Sequence, residues 1–472
     1  MNSFLNLSNY KKKIAIVSEN EEQISYSTLE EKVNKIKNKI RKKSLIFILS
    51  SNSLDSILIY LASLKHNCVC LLLDNDIIDK TLNKLIKKYK PNYIFTNKLN
   101  KIKDYEEFIS LSKNIILKKK NNKNINFFSK LSLLLTTSGS TGSPKLARIS
   151  LDNLISNANS IAKYSKIKSS DTMITTLNPA YSFGLSMINS HLAKGAKIVL
   201  NKDTIISNSF WKKLEKFRIS TIGGVPFMYE VFDRLKIFEK KIFIKNFLQA
   251  GGPLKINLQK KFSKVCKKEK INFYIMYGQT EASPRISYLP AKNFSKKLGS
   301  IGIPIPGGKI RIINEEGNKI TKPNIIGELE FQGDNVFLGY ANNLNDLKKG
   351  DENKGVLKTG DIAYKDKDNF YFISGRKKRI VKIFGKRINL DDLEKIITRL
   401  EINNACISSN DKLIIFIDEK KNTIRIKKIL LKNMKLNKVS FEIIYITNIP
   451  RLKNGKINYL KLNNLVNEKK FN

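Results

Sequence analysis

The sequence predicts an α/β protein in two parts. A large N-terminal domain of helix-covered, mostly parallel sheets with a β-rich subdomain precedes a small α+β lid at the C-terminal end. Three observations lead there. Apolar runs of strand length alternate with helical patterns through the first third of the chain. The same rhythm then continues with strands that end in turns rich in Gly, Pro or Thr. From about Leu298 the texture changes to short β segments. The expected boundaries are 1–374 for the N-terminal domain, with its β-rich part at about 298–374, and 375–472 for the lid.

Taken in order, Leu29, Val33, Ile36 and Ile40 fall at helical spacing, with Ser27 as the expected cap and Glu30 at the third helical position. "SLIFILS" (44–50) reads as a short buried strand, "LDSILIYLASLKHN" as a helix, and "CVCLLLD" and "PNYIFTN" as further strands. Residues 118–126 read as a polar loop. "DTMITTLN", "GAKIVLN", "ISTIGGVP", "FLQAGGPL" and "NFYIMYGQTEA" each end an apolar strand in a turn. Ligand crevices of such sheets lie at the carboxyl ends of the strands, where these small and polar residues cluster. "GKIRIINEEG", "GELEFQGDNVFLGY" and "GVLKTGDIAYKDKDNFYFISG" form the β-rich part. "RKKRIVKIFGKRINLDDLEKII", more strands and a lysine-rich helix form the lid.

A chain of 472 residues exceeds one core. Its 87 basic and 41 acidic residues give a net charge of +46, which raises the question of a nucleic-acid partner. The lysines are spread along the whole chain and no aromatic-interleaved basic motif stands out. Lys, Asn and Ile are inflated together, as an A+T-rich genome would inflate surface positions, so no nucleic acid is expected. Cys68 and Cys70 alternate along a strand and read as small core residues. With only two His in the chain, a zinc site is not expected. No long apolar stretch appears, so the expectation is a cytoplasmic protein without a membrane span.

The chemistry concentrates in "LLLTTSGSTGSPKLARIS" (133–150), a strand running into a loop of small residues with one cation, Lys145, at its far end. Such a loop can cradle phosphates with backbone N–H groups and the hydroxyls of Thr137, Ser138, Ser140 and Thr141. It is not a P-loop, because the Lys lacks the required Gly before it and Ser or Thr after it. Six more blocks follow in order: "AGGPL" (250–254), "YGQTEA" (277–282), "GELEFQG" (327–333), "TGD" (359–361), "GRKKRIVKIFGKRI" (375–388) and "PRLKNGK" (450–456).

With these blocks the sequence resembles the adenylate-forming superfamily of acyl-CoA synthetases, adenylation domains of nonribosomal peptide synthetases and luciferase-like enzymes. The resemblance implies activation of a carboxylic acid by ATP and Mg2+ to an acyl-adenylate, with release of pyrophosphate. Transfer to coenzyme A or a phosphopantetheine carrier, which an acidic acyl carrier protein would supply in trans, then follows. It implies a nucleotide site of Thr137, Ser138, Gly139, Ser140, Thr141, Gly142, Lys145, Gly251, Gly252, Tyr277, Gly278, Asp361 and Arg376. Glu281 and Thr141 would serve Mg2+, and Thr280 the α-phosphate. Asp361 would take the ribose hydroxyls with Arg376 nearby, and Tyr277 would face adenine. Lys456 would be the catalytic lysine of a mobile lid pivoting at Lys378, and Gly385 would border the thiol path.

Tyr181, Phe183, Gly184, Gly224 and Val225 are the expected acyl pocket, of mixed apolar and hydroxyl character. Three departures stand out. Lys378 occupies a hinge position where many relatives have Asp, Leu146 replaces the usual Gly, and Tyr181 stands where coenzyme A ligases often carry His. Amino-acid-activating relatives place an Asp where this chain has Gly184, which argues for an acid without an α-amino group. The alternatives are a freestanding amino-acid-activating enzyme, a luciferase-like or amidating acyltransferase, and a non-catalytic binding protein of the same fold.

Overall fold

The computed structural model describes residues 3–97, 102–111, 114–121, 124–137, 145–240, 242–383, 386–409, 412–433, 436–452, 455 and 457–468. The chain divides into two compact units. One is Met1–Ile310 with Phe331–Leu357, and the other is Arg311–Glu330 with Lys358–Asn472.

Unit one holds two sheets. In an eight-stranded sheet the order is Gly339–Ala341, Leu146–Ser150, Leu131–Thr136, Val69–Asp74, Leu45–Ser50, Tyr93–Thr96, Ile115–Lys119 and Tyr105–Ser110. Its centre is parallel, with Phe47 opposite Leu71 and Leu71 opposite Leu134. Every residue of Leu45–Ser50 is buried, because helices cover the central strands on both faces; that is why this strand reads as an unbroken apolar run. Leu82, Leu85, Ile86 and Tyr89, from the helix Asp79–Tyr89, pack into the same core as Phe47 and Leu71.

A nine-stranded sheet carries the strand-and-turn motifs. Thr172–Ile174, Lys197–Val199, Thr221–Gly224, Asn246–Gln249 and Asn272–Tyr277 lie in it, their mutual pairings parallel. Parallel pairing brings the carboxyl ends of Thr221–Gly224, Asn246–Gln249 and Asn272–Tyr277 to one edge. An aromatic cluster of Tyr229, Phe232, Phe247, Phe262 and Phe273 packs against this sheet, with ring centroids of 5.1–6.4 Å between neighbours. Trp211, the one tryptophan of the chain, meets Phe210 and Phe232 edge-on at 5.6 and 6.0 Å.

Two sequence expectations need correction. The first helix spans Tyr26–Lys39, and its cap is Ser25, whose hydroxyl accepts from the Thr28 amide; Ser27 lies inside the helix. Tyr26 explains the earlier start. Its buried ring carries a hydroxyl that donates to the Ala196 carbonyl at 2.9 Å, which fixes the first turn against the second sheet. The polar loop at 118–126 begins late, since the strand Ile115–Lys119 runs through its first two residues. Cys68 and Cys70 are buried and free, as expected of core residues.

Unit two contains Asp361 and Arg376 on the paired strands Val356–Lys365 and Tyr371–Arg376. The strands Ile380–Ile383 and Lys386–Asn389 form a hairpin before the helix Leu390–Thr398. Asn404–Ser409, Lys412–Ile417 and Phe441–Tyr445 make a three-stranded sheet. The lysine-rich segment is a short helix, Thr423–Lys428, running into a π turn at Ile429–Asn433. Leu393, Ile397, Cys406 and Ile415 belong to an apolar core of this unit, and Arg379 adds a charged cluster. The arginine pairs with Asp391 and with Glu394 (2.7 Å), and stacks on Tyr459 at 4.1 Å, while the Tyr459 hydroxyl donates to Glu394 at 2.9 Å. Among the described residues no helix is long and apolar enough to cross a membrane.

Candidate active site

The small-residue loop is bracketed by the antiparallel strands Leu131–Thr136 and Leu146–Ser150. Its base is closed by Thr137, whose amide and hydroxyl both donate to the Lys145 carbonyl, at 3.0 and 3.1 Å. Ser138, Gly139, Ser140, Thr141 and Gly142 lie outside the described residues. Lys145 sends its ammonium over the ring of Tyr340, 5.6 Å from the centroid. The Tyr340 hydroxyl donates to Glu281 Oε1 at 2.6 Å. Burial, followed by the adjacent Glu281 carboxylate, pushes the Tyr340 hydroxyl well above its ordinary pKa, so it remains a donor. Tyr340 comes under Lys145 because Gly339–Ala341 pairs with Leu146–Ser150, Tyr340 opposite Ala147.

Glu281 belongs to a tight turn, Thr280–Ala282, that follows the strand Asn272–Tyr277. The turn demands Gly278, since a Cβ there would lie 1.7 Å from the Pro284 carbonyl oxygen. Backbone contacts hold it from outside. The Phe337 amide donates to the Glu281 carbonyl at 2.9 Å, and Asn335 Nδ2 to the Ala282 carbonyl at 2.5 Å. Thr280 Oγ1 lies 3.3 Å from Ser182 Oγ. Tyr277, at the end of the strand, is half-buried.

The other strand ends converge here. Gly251 takes a left-handed conformation (φ +90°), and a Cβ on it would lie 3.0 Å from the Tyr181 hydroxyl and 3.1 Å from Val225. Gln249 Nε2 donates to the Gly252 carbonyl at 2.8 Å, and the Ala250 amide to the Gly224 carbonyl at 3.2 Å. Tyr181 is the cap residue of the helix Ser182–Leu192, and Phe183 is buried in its first turn. Gly184 packs against backbone, for a Cβ there would lie 2.6 and 2.8 Å from the carbonyl oxygens of Asn178 and Leu177.

A profile of AMP-binding enzymes matches residues 5–341. The chain belongs to the AMP-binding enzyme family. Luciferin 4-monooxygenase of Photuris pensylvanica is 25% identical over 400 residues, 76% of this chain and 71% of that one. Oxalate–CoA ligase of Arabidopsis thaliana is 28% identical over 353 residues, 69% of this chain and 65% of that one. Several further coenzyme A ligases are matched over about half of their length. In fold, the chain is similar to o-succinylbenzoate CoA synthetase from Bacillus subtilis in complex with the acyl-adenylate intermediate OSB-AMP. The TM-score is 0.77 at 19% identity, over 98% of each chain.

In this AMP-binding enzyme the residues named from sequence fall into three sets. Thr137, Lys145, Tyr181, Phe183, Gly224, Val225, Gly251, Gly252, Tyr277, Gly278, Thr280 and Glu281 lie in unit one, at strand ends and turns or, for Tyr181 and Phe183, at the start of a helix. Asp361, Arg376 and Lys378 lie in unit two. Asp361 Oδ1 is 3.1 Å from Arg376 Nε, and Lys378 is exposed in a one-turn helix at Lys377–Arg379. Gly385 and Lys456 lie outside the described residues.

Among the described residues no three of His, Cys, Asp and Glu gather as a metal site. Mg2+ does not need one, because it is held by one or two carboxylates together with waters and substrate phosphates. Glu281 fits that role: the Tyr340 hydroxyl engages only one of its oxygens and orients it.

Sequence reasoning passed over Tyr340, and it placed the segment of Arg285 in the acyl pocket without singling out the arginine. Tyr340 is the link between Lys145 and Glu281, and only its distance along the chain hid it. Arg285, inside "SPRISYL" (283–289), a segment the sequence also suggests for the pocket lining, is almost wholly buried, with its guanidinium over the Phe183 ring at 4.4 Å. Its charge was visible in the sequence, but its surroundings were not.

Proposed function

We propose that the chain is an ATP-dependent acid–thiol ligase. It would join a carboxylic acid to the α-phosphate of ATP, releasing pyrophosphate, and pass the acyl group to a phosphopantetheine thiol on coenzyme A or a carrier protein. The observation that carries this reading is the contact chain Lys145–Tyr340–Glu281, which sets a cation and a carboxylate on one tyrosine beside the phosphate loop. Relatives named as coenzyme A ligases support coenzyme A as the acceptor.

The difficulty of the first step is that a carboxylate must approach an anionic phosphate in line. An oxygen of the acid attacks the α-phosphorus, a P–O bond forms, and the α–β bridge breaks with its electron pair leaving on pyrophosphate. Lys145 offers positive charge to the departing phosphates, and Glu281 offers a hard oxygen to Mg2+. When bound, Mg2+ neutralises phosphate charge. Thr280, whose Oγ1 lies 3.3 Å from Ser182 Oγ, is proposed to donate to the α-phosphate. In the second step the thiol sulfur attacks the acyl carbon, the bond to AMP breaks, and the thiol proton leaves to solvent. Asp361 and Arg376 are proposed to hold the ribose, and Lys456 to bridge the acid and the α-phosphate. Residues 375–472 are proposed to move about Lys378, so that Gly385 replaces Lys456 for thiol transfer.

Gly184 supports an acid without an α-amino group. No side chain fits there without displacing the Leu177 and Asn178 carbonyls, so it cannot supply a carboxylate partner for an ammonium.

Acid-dependent exchange of pyrophosphate into ATP tests the reading, run over a panel of acids with hydroxylamine trapping. Lys456→Ala is expected to slow exchange by at least about 100-fold while ATP affinity is retained. Wild-type exchange in that variant removes Lys456 from the mechanism. Absence of exchange with every acid overturns the reading as a whole.

A further inference from the structure

Arg285 is 2% exposed. Its guanidinium has neutral neighbours: the Phe183 ring, Ser186 Oγ at 3.4 Å from Nη2, and the Tyr164 hydroxyl, with the Tyr181 hydroxyl also within electrostatic reach. Among the described residues no Asp or Glu carboxylate pairs with it. The second wholly buried arginine of unit one shows what this fold does otherwise. Arg148, 0% exposed, is paired with Glu352 and donates to the carbonyls of Lys349, Gly350 and Leu338. Each arginine leaves its Nε without a partner, so the difference between them is the anion. Burial pulls the Arg285 pKa below its ordinary value, yet an arginine stays charged in proteins. A buried cation without a counter-charge is costly and calls for an anion from elsewhere.

The place of Arg285 says where that anion would come from. It follows the Thr280–Ala282 turn by three residues and faces the first turn of the helix that carries Tyr181 and Phe183. Ser186, its hydrogen-bond partner, lies in the wall of a small cavity with Ser182, Asn157 and Ser283. Ser182 in turn touches Thr280 at 3.3 Å. Ser182 and Ser186 stand one turn apart on the helix Ser182–Leu192, so that helix contacts both the residue proposed for the α-phosphate and the unpaired guanidinium.

Resting on the adenylation reading, we infer that the acid activated by this enzyme carries a second carboxylate, and that Arg285 binds it. One carboxylate is presented at Thr280 for reaction; the other sits on the guanidinium, whose planar fork matches a carboxylate. An acid lacking the second group leaves Arg285 unpaired, and sites built around a buried polar group reject such analogues strongly.

The test compares matched acids in pyrophosphate exchange: succinic against butyric, adipic against hexanoic, and each diacid against its monomethyl ester. Wild-type enzyme is expected to favour the diacid in kcat/KM by at least about 100-fold over both partners. Arg285→Met is expected to erase that preference with the KM for ATP unchanged, and Arg285→Lys to keep part of it. Thermal stabilisation by each acid, measured without ATP, gives a second readout. A diacid that stabilises wild type but not Arg285→Met, with no acid supporting exchange, upholds Arg285 and removes the adenylation reading. Exchange that favours the monocarboxylic acids, or a preference unchanged in Arg285→Met, upholds adenylation and overturns the inference. Neither exchange nor stabilisation overturns both. The wild-type comparison decides by itself if Arg285→Met does not fold.

Discussion

Tyr340 touches two charged residues through two different parts of its side chain, and the parts can be removed separately. The ring lies under the Lys145 ammonium and the hydroxyl orients Glu281. Tyr340→Phe keeps the ring and deletes the donor. It is expected to raise the Mg2+ requirement and slow exchange by about 10- to 100-fold, with the KM for ATP little changed. Tyr340→Leu removes the aromatic face as well, and should add a rise in the KM for ATP. A titration of exchange rate against Mg2+ and ATP separates the two effects. Equal behaviour of the two variants would show that the ring contributes nothing through Lys145. Nothing in the sequence around "LGYAN" marks this tyrosine, because its partners are 59 residues away at Glu281 and far upstream at Lys145. Arg285 was hidden differently: a sequence displays a charge, whereas the absence of a counter-charge exists only in three dimensions.

The helix Ser182–Leu192 carries Phe183, Gly184 and Ser186 at its start and His191 near its end. Burial lowers the His191 pKa to about 4, and its Nδ1 lies 2.7 Å from the Met187 carbonyl, which accepts its proton. The folded state therefore refuses a second proton that the unfolded chain accepts below about pH 6.5. Stability is expected to fall by roughly 3 kcal/mol as pH drops from about 6.5 to 4, and to lose no more from this group below that window. Denaturant melts across that range should show a shallower slope in His191→Asn. A wild-type slope in that variant would assign the acid sensitivity to other groups. The strands that position the site were legible at this scale, since buried parallel strands read as apolar runs ending in Gly, Pro and Thr. The helix Asp79–Tyr89 went unread although Leu82, Leu85, Ile86 and Tyr89 lie at helical spacing. The Ser25 cap was misplaced by two residues, because the anchoring of Tyr26 to Ala196 is a long-range contact that local capping rules do not contain.

At the scale of the molecule, both units rest on buried apolar cores, and unit two adds a charged cluster to its own. Unit two buries Leu393, Ile397, Cys406 and Ile415 in one apolar core and Ala405, Phe416 and Leu462 in another, and to these it adds the ionic cluster of Arg379, Asp391, Glu394 and Tyr459. Burial pushes the Glu394 carboxyl up and Arg379 pulls it back down. Arg379→Met leaves that carboxylate buried without its cation and is expected to destabilise unit two by about 3 kcal/mol or more. Circular dichroism should then show an earlier melting transition, with nucleotide binding to unit one's residues tested separately. A single unchanged transition would mean that the cluster adds no net stability. The edge-on packing of Trp211 against Phe210 and Phe232 gives this comparison its own optical handle. Excitation selective for indole reports from the nine-stranded sheet alone, and unfolding confined to residues 358–472 passes without direct emission from that region. A new tryptophan placed there, for example at Phe372 against Tyr364, would add a second colour-matched lamp, and the two halves could be watched melting one at a time.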